Sequence, residues 1–187
     1  MTKILQIPES LQFYFENSQQ AGAIQQILEM DSLPLGLTWE EIEHYQMAKI
    51  SAQTTQFDYW KLMKDLWQLS WGEAVGKKFK EISPEEYEGE NSVEYAWENL
   101  FYKMFNYENG HLVLGCRAND GEGIYLTFYV ESPKFNYEIS NNLDLSDYWN
   151  KQVDDSRWTK DGLVETNHAE IDVSVLVELA KEAIGKL

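Results

Sequence analysis

Up to about residue 107 the apolar positions recur with a helical period near 3.6, and after Asn109-Gly110 they recur at every second residue. Residues 21–30 predict a short helix ending near Asp31, followed by a loop through Leu33-Pro34-Leu35-Gly36. Thr38 opens a second helix, and Glu41 three residues on completes a capping box. Its inward stripe reads Trp39, Ile42, Tyr45, Ala48 or Lys49, and Ala52. A third helix carries Tyr59, Trp60, Met63, Leu66, Trp67 and Trp71 inward, with Lys61, Lys64 and Asp65 outside. Ser83-Pro84-Glu85-Glu86 is a further start signal, and Gly89 interrupts it. Asn91 or Ser92 then caps a longer helix through about Tyr107, with Val93, Ala96, Trp97, Leu100, Phe101, Met104 and Phe105 as its buried stripe.

In the second half the alternation predicts strands. Leu112, Leu114, Cys116 and Ala118 point inward, and Ile124, Leu126, Phe128 and Val130 return after a hairpin loop at residues 119–123. A third strand is expected at 135–139 and a fourth at 163–166, with residues 140–162 irregular apart from a short helix near 145–151. An amphipathic helix from about Val173 closes the chain, with Leu176, Leu179, Ala180, Ala183 and Ile184 inward. The expected fold class is α+β in a single domain, 1–187. A helical part of about 1–107 precedes a small antiparallel sheet of about three or four strands and a terminal helix, about 111–187. Trp60, Trp67, Leu100, Phe101, Leu114, Leu126, Phe128 and Leu179 are expected in the core.

Composition changes this picture in two ways. The chain carries 32 acidic against 15 basic residues, a formal net charge of −17, which repels nucleic acid and anionic membrane and favours a basic partner. Its aromatic content of 14% argues for a folded core despite that charge. The single cysteine, Cys116, excludes an internal disulfide or a cysteine-built zinc site and fits a reducing compartment. No apolar run is long enough for a membrane span or a signal peptide, so a cytoplasmic location is expected.

Candidate chemistry is sparse. His168-Ala169-Glu170 matches half of the zinc-deaminase signature, but the Cys-x-x-Cys half is missing. His44, His111 and His168 lie far apart, so neither a metal nor another cofactor is expected. Cys116 falls on the apolar face of a strand, which fits a buried structural thiol rather than a nucleophile. Asp144, Asp147, Asp154, Asp155 and Asp161, with Lys151 and Arg157 nearby, are the carboxylates a small hydrolase or nuclease could use. In so acidic a chain, solvated loop acids are the plainer reading. The densest cationic run, Lys77-Lys78-Lys80, is too small to track phosphates and better suits a helix end.

The densest acidic run is more suggestive. Between Lys80 and Lys103 stand seven acids (Glu81, Glu85, Glu86, Glu88, Glu90, Glu94, Glu98) and no Lys or Arg, interleaved with Tyr87, Tyr95 and Trp97. Glu94 and Glu98, four apart, destabilise a helix slightly, so helix stability does not explain them. The expected role is docking on a basic protein, often one that binds nucleic acid, as an inhibitor or immunity-type factor, through Glu85, Glu86, Tyr87, Glu88, Glu90 and Glu94. Asp154 and Asp155 are secondary contacts. A DNA mimic is the second reading. A 22-residue helix is about 33 Å long, so these acids give one charge per roughly 5 Å, against about 1.7 Å for a duplex. A mimic needs the Asp-rich segment 144–161 as a second row.

Overall fold

The computed structural model describes residues 3–16, 18–30, 32–82, 100–108, 110–119, 123–131, 143–147, 149–154, 157–164 and 170–187. The α+β class holds: helices lead, an antiparallel sheet follows, and a helix ends the chain. β1 (Ile4–Gln6) precedes α1 (Glu9–Glu16) and α2 (Ser18–Glu29). α3 (Trp39–Trp67) runs without a break into a π turn at Gln68–Gly72 and a last α turn at Glu73–Val75. The two helices expected between Thr38 and Trp71 are therefore one rod. No Gly or Pro lies between Ala52 and Tyr59 to stop it. The capping box forms as the sequence indicates: the Glu41 N–H donates to Thr38 Oγ1, and Thr38 donates back to the Glu41 carboxylate through its N–H and hydroxyl. Gly76, at φ +52°, turns the chain off the rod with a backbone angle that a Cβ would resist.

Among the described residues the main sheet has five strands in the order β2-β3-β4-β6-β5: β2 (Leu100–Tyr107), β3 (Gly110–Asn119), β4 (Gly123–Glu131), β5 (Trp149–Asp154) and β6 (Arg157–Val164). Residues 100–107, expected to end a helix, form a strand instead. Phe101-Tyr102-Lys103-Met104-Phe105 can be read at either period, and the Asn109-Gly110 hairpin signal decides between them. Tyr107 pairs with Gly110 across a two-residue connection in which Glu108 adopts φ +48°, the positive angle such turns require. The short helix expected near 145–151 is also corrected. Residues 149–154 form β5, which pairs with a β6 longer than the strand expected from 163. The strand expected at 135–139 lies outside the described residues. β1 pairs separately with β7 (Glu170–Asp172), and the Val173 N–H donates to the Lys3 carbonyl. This pair sets the start of α4 (Val173–Lys186), whose N-cap Asp172 accepts from the Ser174 N–H.

One core holds these layers together. The inner half of the rod supplies Tyr59, Leu62, Met63, Leu66, Trp67 and Trp71; the sheet supplies Phe105, Leu112, Leu114, Cys116, Leu126 and Trp149; α4 supplies Leu176, Leu179, Ala180 and Ala183. Two tryptophans fix the crossing of rod and sheet. Trp67 Nε1 donates to the Leu114 carbonyl and Trp71 Nε1 to the Gly115 carbonyl, each at 2.8 Å. Successive carbonyls of a strand point to opposite neighbours, so the rod straddles β3. Accordingly Trp67 stacks on Phe105 of β2, while Trp71 meets Trp149 of β5. A smaller cluster of Ile82, Met104 and Val113 sits on the other sheet face. There residues 80–82 run along β2, with the Ile82 N–H donating to the Met104 carbonyl and the Asn106 N–H to that of Lys80. Of the residues expected in the core, Trp67, Leu114, Leu126 and Leu179 are buried, whereas Trp60 and Phe101 are half-buried. The burial of Leu100 and Phe128 lies outside what is described.

Candidate functional site

Most of the docking residues indicated by the sequence, Glu85, Glu86, Tyr87, Glu88, Glu90, Glu94 and Asp155, lie outside the described residues. Asp154 ends β5, in register with Arg157 of β6. Of the seven large apolar side chains exposed among the described residues, four lie on the outer half of the rod. Trp39 is 87% exposed, Met47 64%, Ile50 63% and Phe57 60%. Trp39 was expected to point inward; it stands on the opposite side. At about 100° per residue, positions 39, 47, 50 and 57 fall within about 80° of one another, turned away from the face that buries Ala52, Thr55, Tyr59 and Leu62. The rod is thus apolar on both sides, and the inward stripe obscured the outward one in the sequence. Several large apolar side chains presented along one helix face mark a contact surface more often than a single exposed Leu does.

Local chemistry builds this face. Glu40, Glu41 and Glu43 stand exposed in the first turns of α3, where carboxylates complement the positive end of the helix dipole. Hydrogen bonds from the Thr38 backbone and hydroxyl hold the Glu41 carboxyl below its usual range. Beside the stripe lies an open cleft of about 280 Å³ lined by Met30, Leu33, Tyr45, Gln46, Lys49 and Ile50. Lys49 Nζ donates to the Met30 carbonyl at 3.0 Å there. The Tyr45 hydroxyl is buried with no hydrogen-bond partner among the described residues. Leaving such a group unpaired costs about 1–3 kcal/mol, which an incoming donor or acceptor would relieve.

The remaining candidates resolve individually. A second cleft, of about 320 Å³, lies between the end of the rod, β1 and α4, and is lined by Lys3, Glu73, Asp172, Ser174, Glu178 and Lys181. Lys3 and Glu73 pair with each other across it. Asp144 and Asp147 are exposed in the segment 143–147, which is tied to α4 where Ser146 donates to the Glu182 carboxylate. Asp161 sits in β6, in register with Asn150 and Thr127. His44 is exposed on the rod and His111 is half-buried on β3. Among the described residues no three His, Cys, Asp or Glu side chains are grouped so as to hold a metal ion.

Cys116 is fully buried, and burial pushes its thiol up to about 12, against a weak opposing contact with the Ser70 hydroxyl at 3.9 Å. At neutral pH it is a packing residue, as its strand position implied. Lys78 donates to the Ile184 carbonyl, so this cation meets the last turn of α4 rather than the end of its own rod. Among the described residues no helix is long and apolar enough to cross a membrane. Comparison with protein-family models, curated proteins and solved structures finds no match to this chain.

Proposed function

We propose that this chain acts in the cytoplasm by docking on a basic protein partner, as an inhibitor or immunity-type factor. The observation that supports this most is how little of the net charge of −17 is compensated by ion pairs among the described residues. Among the described residues two ion pairs form, Lys3–Glu73 and Lys103–Glu81. Glu40, Glu43, Asp144, Asp147 and Glu178 are exposed and stand outside both pairs. Carboxylates left in water cost little, and together they create a field that speeds encounter with a cation-rich surface. The acid-dense stretch Glu85, Glu86, Glu88, Glu90 and Glu94 adds to that field, with Tyr87 as an aromatic anchor.

The test is kinetic. After capture from lysate at low salt, the purified partner should bind with an association rate that falls at least roughly tenfold between about 50 mM and about 500 mM salt. Reversing Glu85, Glu86, Glu88, Glu90 and Glu94 to Lys should slow association without lowering the melting temperature. Unchanged kinetics in the reversed variant would reject the proposal.

A further inference from the structure

We infer that the outer face of the rod is a two-fold seam that pairs with the same face of a second copy, the two rods running antiparallel. This inference is independent of the basic-partner reading, because the face has the wrong charge pattern for a purely cationic partner. Along it, Glu43 near one end is matched by Lys61 towards the other, both exposed and on the same line as the apolar residues. The arrangement is symmetric about position 52. Met47 lies as far before it as Phe57 lies after it, Ile50 mirrors Thr54, and Glu43 mirrors Lys61. In an antiparallel pair each residue meets its mirror, so Met47 packs on Phe57 of the second copy, Ile50 on Thr54, and Glu43 on Lys61, every contact occurring twice. A parallel pair would set Glu43 against Glu43.

Size is consistent with a weak, reversible dimer. Large side chains carry about 150–250 Å² each, so the exposed parts of Trp39, Met47, Ile50 and Phe57 amount to on the order of 500 Å² per copy. Two copies bury about 1,000 Å², the lower bound for a specific interface. Trp39 mirrors Asp65 of the second copy, next to Lys64, whose ammonium is within reach of its ring. Lys64 already takes that position over Trp60 in its own chain, 4.9 Å from the ring centroid. The net charge works against the pair: two chains of −17 repel, so salt should strengthen self-association while it weakens capture of a basic partner.

Sedimentation equilibrium of the full chain, from about 1 to about 500 μM and at about 50 and 500 mM salt, decides the matter. The expected result is a monomer–dimer equilibrium that tightens at the higher salt. Ile50→Glu should weaken it at least roughly tenfold while circular dichroism and melting temperature stay as in the parent. Glu43→Lys and Lys61→Glu should each weaken it, and the double exchange should restore it, which tests register even if Ile50→Glu misfolds. A monomer at every concentration and salt would overturn the seam. So would a dimer indifferent to Ile50→Glu, or charge exchanges that do not rescue each other. None of these results bears on binding to a basic partner, whose salt dependence runs in the opposite direction.

Discussion

The inner and outer halves of the rod belong to one helix and follow opposite rules. From Tyr59 to Trp71 one side is fully engaged, and its two indoles are bonded to the backbone of β3. From Trp39 to Phe57 the inward side is only partly covered, by α1 and α2, and the outward side displays side chains as large as those in the core. Apolar content is therefore a poor guide to which part of the rod holds the fold. Contact with the sheet makes the difference, because burial stabilises only when apolar surface leaves water.

Substitution in each half measures that contrast. Trp71→Ala should cost about 3–5 kcal/mol in urea denaturation, from lost packing and from leaving the buried Gly115 carbonyl without its indole donor. A loss below about 1 kcal/mol would mean that the inner half does not anchor the fold. At the outer end, Thr38→Ala removes the hydroxyl half of the capping box, keeping the backbone N–H bond to Glu41, and should cost about 1 kcal/mol at neutral pH. Because Glu41 has a lowered pKa in the native chain, its contribution is present above the ordinary carboxylate value of 4.5 and is lost as pH falls through the lowered one. The Thr38→Ala deficit should therefore shrink in acid; a deficit that grows there would contradict the capping geometry. Smallest of all, Ile50→Ala and Phe57→Ala should shift monomer stability by about 0.5 kcal/mol or less. A loss comparable to that of Trp71→Ala would show the outer stripe packing against its own chain.

The sequence made some of this plain. α4 could be read from period alone because it buries one side against a single layer, and the β3–β4 hairpin because Leu112, Leu114, Cys116 and Leu126 alternate on the inward line around a clear turn. Cys116 fell on the inward line of β3 for the same reason. The errors also have physical causes. In β2 the two faces meet different clusters, Phe105 one and Met104 the other, so both parities are apolar and the strand imitates a helical stripe. β5 is the last strand of the sheet among the described residues, and polar residues such as Asn150, Lys151 and Gln152 hide its alternation. Trp39 was assigned inward because it is large and apolar, and no local signal separates a core Trp from one presented to a partner. The acid-rich candidates from Glu85 to Glu94 were conspicuous in the sequence for their charge, a property that sets encounter and solubility rather than fold.

The π turn at Gln68–Gly72 gives the rod one residue beyond what an uninterrupted α-helical register would use. Deleting a single residue there would let α winding run straight through with Val75, Gly76 and the chain beyond still facing nearly as they do now, because the wide turn already absorbs the extra residue. Deleting one from the α-helical part instead would swing everything downstream by about 100°. The surplus residue thus works as slack in the gearing, a place where the rod can change length without re-aiming whatever follows it.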